Sequence, residues 1–169
     1  MIFAGYAGVG KSTCASMRSD VLDLPLAPFK YGLSRWKREI YEEKEALKAT
    51  DQDTFDLHYP EKYVDVIERR MKNYKHILIP TDVNVLQELD NRKIPYFTVV
   101  PNLLDERMKH VYEQRYRSRG NNERFIDIFV GEWEQRIGYL IFRFKPYVLL
   151  NEDTFMSDIV QGYDEGRLV

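Results

Sequence analysis

The sequence predicts an α/β fold, a five-stranded parallel sheet with helices on both faces, and three observations carry that prediction. Short apolar runs alternate along the chain with longer stretches of helical period, which is how strands and crossover helices take turns in a layered fold. The first run, residues 1–4, leads directly into a glycine-rich turn, Gly5-Tyr6-Ala7-Gly8-Val9-Gly10-Lys11-Ser12-Thr13. With 169 residues, 44% of them hydrophobic, the chain can bury one core and is too short to suggest a second. A single domain over residues 1–169 is therefore expected.

The expected strands are 1–4, 21–24, 77–80, 96–100 and 147–150, all short and mostly apolar, as strands covered on both faces should be. Between the second and third lies a charged helical stretch, 34–48, marked by Trp36, Ile40 and Leu47. Pro60 reads as the first-turn proline of a helix reaching Tyr74, with Tyr63, Ile67, Met71 and Tyr74 as its apolar stripe. Asp82 is placed to cap a helix over 83–91 whose buried face is Val85, Leu86 and Leu89. Two helical stretches follow between Leu103 and Phe144, divided at Gly120-Asn121-Asn122, the second striped by Phe125, Phe129, Trp133 and Ile137. A short helix after Asn151-Glu152-Asp153 and a tail from Gly162 complete the chain.

The glycine turn fits the pattern G-x-x-x-x-G-K-[ST], in a strand-before, helix-after setting. Such a loop aims successive backbone N–H groups at one point where a di- or triphosphate can sit. Gly5, Gly8 and Gly10 let the backbone wrap closely, with Val9 between them; Lys11 offers a point charge to the β- and γ-phosphates. Ser12 is the expected ligand of a phosphate-bound Mg²⁺, and Thr13 begins the helix wall behind it. In a parallel sheet the ligand lies beyond the carboxyl ends of the strands. Asp23 and Asp82 stand there. Asp23 is either a group that holds Mg²⁺ or orients an attacking atom, or a turn residue before Pro25; Asp82 is either a ligand-binding carboxylate or a helix cap.

A second concentration of chemistry is Arg115-Tyr116-Arg117-Ser118-Arg119-Gly120, free of acidic residues. Arg115 and Arg119 share a helix face. Arginines aimed at bridging phosphates stabilise a phosphoryl-transfer transition state, one being worth on the order of 10³-fold in rate; a solvated helix face is the alternative. The pattern Val-Val-Pro-Asn-Leu-Leu-Asp-Glu-Arg from Val99, the arginines, then Glu123 and Ile126, resembles the lid of the guanylate kinase branch of nucleoside monophosphate kinases. Tyr147-Val148-Leu149-Leu150-Asn151-Glu152-Asp153 is similar to that branch's last strand and the loop beside the adenine ring, and the layout resembles small phage-encoded nucleotide kinase-like proteins. The resemblance implies a three-layer P-loop NTPase fold with a helical lid at about 105–125, ATP with Mg²⁺ as donor, Lys11 on the phosphates, Arg115 and Arg119 closing over them, and Asn151 near the base.

Between Pro25 and Lys75 the resemblance gives no guide, so the acceptor is left open. Phe29, Lys30, Tyr31, Arg35, Trp36 and Arg38 could stack a base and hold a monophosphate, Phe29, Arg35, Arg38 and Asp82 being the chosen substrate-binding candidates. The expected reaction is phosphoryl transfer from ATP to a nucleoside or deoxynucleoside monophosphate. A kinase of another small metabolite or of a polynucleotide 5′ end, and an ATP-binding switch without transfer activity, are the alternatives.

Other classes are disfavoured. A net charge of −2 gives no basic field for nucleic acid, no apolar run approaches a membrane span, and Met1 is followed at once by a strand, so a cytoplasmic protein is expected. Cys14, the sole cysteine, permits no intrachain disulfide and reads as a small buried residue. His58, His76 and His110 lack metal-ligand spacing and are expected at the surface or at caps.

Overall fold

A computed structural model of the chain describes residues 1–30 and 58–168. Five strands form one all-parallel sheet: β1 (Ile2–Gly5), β2 (Val21–Asp23), β3 (His76–Pro80), β4 (Tyr96–Pro101) and β5 (Tyr147–Leu150). Their order is β2-β3-β1-β4-β5, which puts β1 at the centre with Gly5 level with Pro80 on one side and Val99 on the other. Consecutive residues Ile2, Phe3 and Ala4, and likewise Ile77, Leu78 and Ile79, are fully buried, so both faces of the central sheet are covered. The β5 edge begins exposed, at Tyr147.

The helices are α1 (Lys11–Met17), α2 (Ala27–Lys30), α3 (Glu61–Arg70), α4 (Val83–Asn91), α5 (Arg107–Ser118), α6 (Glu123–Ile126), α7 (Trp133–Arg143) and α8 (Met156–Asp164). Helix α4 forms as its sequence dictates: the Asp82 carboxylate accepts the Asn84 and Val85 amides, and Val85, Leu86 and Leu89 are buried. Each such leucine is worth about 1.5–3 kcal/mol of transfer free energy. Helix α3 stops at Arg70, one turn earlier than its stripe suggests. Met71 is therefore 38% exposed, and Val64 joins Tyr63 and Ile67 in the core.

Other expectations change in detail. The stretch after Gly120 is a short α6, a π-helical turn (Asp127–Gly131) and then α7, so Phe125 and Phe129 pack at the margin while Trp133 and Ile137 are buried. Helix α2 carries no periodic signal at four residues. Helix α8 runs past the expected tail boundary and buries Gly162. The helix expected at 34–48 lies outside the described residues.

His76 corrects the surface assignment: it is 1% exposed in β3, flanked by the rings of Phe3 and Tyr163 at 5.6 and 5.8 Å. Its Nε2 lies 2.9 Å from Asp164 Oδ1, and that carboxylate also takes Arg18 at 2.8 Å and Lys75 at 2.6 Å. This cluster joins the start of β3 to the end of α8, far along the strands from the glycine loop. His58 and His110 are exposed, as expected.

Candidate functional site

The glycine loop leaves the carboxyl end of the central strand and is held from three directions. Tyr6 donates its amide to the Val99 carbonyl of β4 at 2.9 Å, and the carbonyl of the buried Val9 accepts the Met156 amide of α8 at 2.8 Å. The third support is α5, whose Tyr112 and Tyr116 rings wall Gly8. With φ +85° and a built Cβ only 2.9 Å from Tyr116 Cε1, position 8 admits glycine alone without movement. Gly10, at φ +89°, turns the chain into α1. Cys14 is buried on that helix, as expected. Among the described residues, the amides of Gly8, Gly10, Lys11, Ser12 and Thr13 find no acceptor within the chain. A row of unsatisfied donors curled into a loop is a ready receptor for anionic oxygens.

Lys11 folds back over this loop, donating to the Gly5 carbonyl at 2.7 Å and the Tyr6 carbonyl at 3.1 Å. Burial pulls its ammonium down to about 8, opposed by the Asp23 charge and assisted by that of Arg119. Ser12 donates its hydroxyl to Asp23 Oδ2 at 2.5 Å. That contact places the Asp23 carboxylate, at the end of β2, against the start of α1. Among the described residues no three His, Cys, Asp or Glu side chains gather into a metal-holding group. Hydroxyl and carboxylate oxygens suit Mg²⁺ in kind, and the rest of its shell would have to come from phosphate oxygens and water.

The two arginines part company. Arg119, just past the end of α5, is exposed and has no hydrogen-bond or ion-pair partner for its guanidinium among the described residues. It lines a cavity of about 210 Å³ together with Gly10, Thr13, Phe155 and Ser157. Arg115 is occupied elsewhere: Nη2 donates to the Glu152 carbonyl at 2.5 Å, and its guanidinium carbon lies 4.8 Å from the ring centres of both Tyr112 and Phe155. The neighbouring Arg117 pairs with Glu113 and Glu123. Expected as a pair closing on one target, Arg115 and Arg119 both stand beside Phe155, Arg115 packed on its ring and Arg119 next to it on the cavity wall.

Asp82 serves as the helix cap and more. Its carboxylate also receives Lys30 Nζ at 3.0 Å and the Tyr59 hydroxyl. Phe29 is placed in the core, 4% exposed and edge-on to Tyr63 at 5.0 Å, rather than on an open wall where a base could stack. Its apolar ring explains this: in the short α2 that follows β2, burial outweighs display. Arg35 and Arg38 lie outside the described residues. Asn151 is exposed beyond β5, accepting from Asn102 Nδ2 at 3.1 Å, so the two asparagines that follow β4 and β5 meet at the strand ends.

Sequence reasoning passed over Tyr112, Tyr116, Asn102 and Phe155. The first two did leave a signal: they sit four apart on α5, offset by three from the two arginines, so one helix presents rings to the loop and cations beside them. Phe155 left none, because a lone aromatic after a polar turn has no period. No protein-family model matches the chain, and no curated protein matches it. Function therefore rests on the site's own residues.

Proposed function

We propose that the chain binds ATP with Mg²⁺ on residues 5–13 and transfers the γ-phosphoryl group to a nucleoside or deoxynucleoside monophosphate. The observation that carries this reading is the shared wall: Gly10 and Thr13 of the loop, whose amides lack acceptors, and Arg119, whose guanidinium has no partner among the described residues, border one cavity. Amides and an arginine together are a donor set for a polyphosphate and for charge that builds on it during transfer.

The chain's residues have distinct tasks in this reading. Loop amides fix the phosphates; Lys11 releases the Gly5 and Tyr6 carbonyls and turns its charge to the β- and γ-oxygens. An ionised oxygen of the acceptor attacks the γ-phosphorus, the bond to the β–γ bridging oxygen breaks, and that oxygen leaves with the electron pair on ADP. Arg119 neutralises the leaving charge. Ser12 and Asp23 would hold Mg²⁺, which supplies charge neutralisation at the β- and γ-phosphates when bound. Because a monophosphate is already ionised, no general base is required of Asp23 or Asp82.

Incubation with γ-labelled ATP and a panel of nucleoside monophosphates, sugars and oligonucleotides tests the reading. Label in a monophosphate supports it; label in a sugar or an oligonucleotide end replaces the acceptor class. Tight ATP binding with only slow hydrolysis against every acceptor would indicate a non-transferring switch. Lys11→Ala should abolish ATP binding, whereas Arg119→Ala should spare binding within a few-fold and reduce turnover by at least ~10²-fold.

A further inference from the structure

We infer that Arg115 is a positioning residue: its flat guanidinium, packed against both the Tyr112 and the Phe155 ring, sets Phe155 as a wall of the cavity beside Gly10. The inference rests on the reading of that cavity as the nucleotide site, and it separates Arg115 from Arg119, which faces the cavity itself.

Three contacts carry it. The guanidinium carbon is 4.8 Å from each of two ring centres, one on α5 and one on the turn before α8. In the same side chain, Nη2 reaches the Glu152 carbonyl at 2.5 Å, across 37 residues of sequence. And Phe155 itself lies over Gly10, where a built Cβ would approach its Cδ1 at 3.6 Å. The chain of contact thus runs α5, Arg115, Phe155, Gly10. A planar cation can offer both faces to rings while its edge donates in the plane; a lysine ammonium on a flexible stem cannot do all three at once.

Electrostatically, Arg115 acts on the Tyr112 phenol, whose pKa burial raises and the nearby guanidinium holds back. Among the described residues it has no carboxylate partner, while Arg107 and Arg117 on the same helix are each paired. Its Nη1 is buried without an acceptor. A guanidinium enclosed in this way, with one edge already committed to a carbonyl, is fixed in place rather than held ready to move onto a phosphate. Phe155 is 39% exposed and needs such a brace, since its backbone hydrogen bonds, to Asp158 through its amide and from Asp158 and Ile159 through its carbonyl, all lie on the α8 side and leave the ring and the turn before it to Arg115.

The test compares Arg115→Lys, Arg115→Ala and Arg119→Ala. In the ligand-free protein, amide hydrogen exchange at Thr154, Phe155 and Met156 should accelerate roughly tenfold in both Arg115 variants and stay at the wild-type rate in Arg119→Ala. With ATP and an acceptor, KM for ATP should rise roughly tenfold in both Arg115 variants with kcat within about threefold, whereas Arg119→Ala lowers kcat. Phe155→Leu should reproduce the KM change, and adding Arg115→Lys to it should have no further effect. Wild-type exchange and KM in Arg115→Lys would overturn the inference, since charge alone would then suffice. So would a ~10²-fold loss of kcat at unchanged KM, the mark of direct contact with the transition state. Exchange does not depend on catalysis: if no acceptor is phosphorylated, the proposed reaction fails while the exchange comparison still decides the role of Arg115. Should Arg115→Ala not fold, the Arg115→Lys and Phe155→Leu pair decides the same question.

Discussion

The Tyr116 hydroxyl donates to the Ala7 carbonyl at 2.8 Å, joining the helix that carries the arginines to the loop that carries the glycines. The Tyr6 hydroxyl makes the reciprocal link, donating at 3.1 Å to the Phe129 carbonyl in the π-helical turn. Both phenols are buried, and burial raises the pKa of each, so they remain neutral donors throughout the physiological range.

Tyr116→Phe should therefore cost about 1–2 kcal/mol of unfolding free energy, because a part-buried carbonyl loses a side-chain donor while the ring packing stays. Urea denaturation measures this. An unchanged midpoint would mean that water replaces the hydroxyl and that the link contributes nothing.

Asp23→Asn separates the metal from the nucleotide. If Ser12 and Asp23 hold Mg²⁺, the variant should bind ATP without Mg²⁺ at least as tightly as wild type, having lost a negative charge near the phosphates. Its affinity for the Mg²⁺ complex should fall by about tenfold. Calorimetry with and without Mg²⁺ gives both numbers, and an equal effect in the two conditions would remove Asp23 from the metal site.

Lys11 gives binding a pH dependence. In the free protein its ammonium titrates at about 8, and a bound polyphosphate favours the charged form, raising that value. Affinity should then be flat below about pH 7 and weaken above pH 8, by up to about tenfold per pH unit until the bound-state value is passed. At pH 8 to 9, binding should take up protons. Titrations in buffers of different ionisation enthalpy report that uptake directly; none observed would mean the lysine never reaches the phosphates.

The cluster around His76 predicts acid sensitivity remote from the site. Burial lowers the His76 pKa against the opposing pull of Asp164, so the folded chain keeps the ring neutral where the unfolded chain protonates it. Burial opposes ionisation of Asp164, yet hydrogen bonds from Lys75, Arg18 and His76 hold its carboxyl well below the usual range. Both shifts act in the same direction. Stability is complete above pH 6.5, starts to fall as His76 would protonate in the unfolded chain, and falls further below the ordinary aspartate value of 3.8. Asp164→Asn should flatten the lower part of that profile and cost about 1 kcal/mol at neutral pH, a figure kept small because the cluster is partly solvated. Thermal melts from pH 3 to 8 would reveal it.

Much of this protein is legible in the order of its residues. All five strands fall within a residue or so of their apolar runs, and Asp82 caps α4, because periods of two and 3.6 and a capping side chain act over a few neighbouring residues. The glycine turn is equally local, its glycines set by the backbone angles at Gly8 and Gly10. Local signals alone mislaid Phe29 and His76, whose surroundings are supplied by other elements. Only the packed sheet, in the order β2-β3-β1-β4-β5, decided that Asp23 would reach Ser12, that Tyr116 would reach Ala7 across 109 residues, and that Arg115 would pack on Phe155 while Arg119 has no partner among the described residues. The physical reason is range: spacing along a chain fixes which face a side chain takes, but its partner is chosen by which faces the packed sheet brings together.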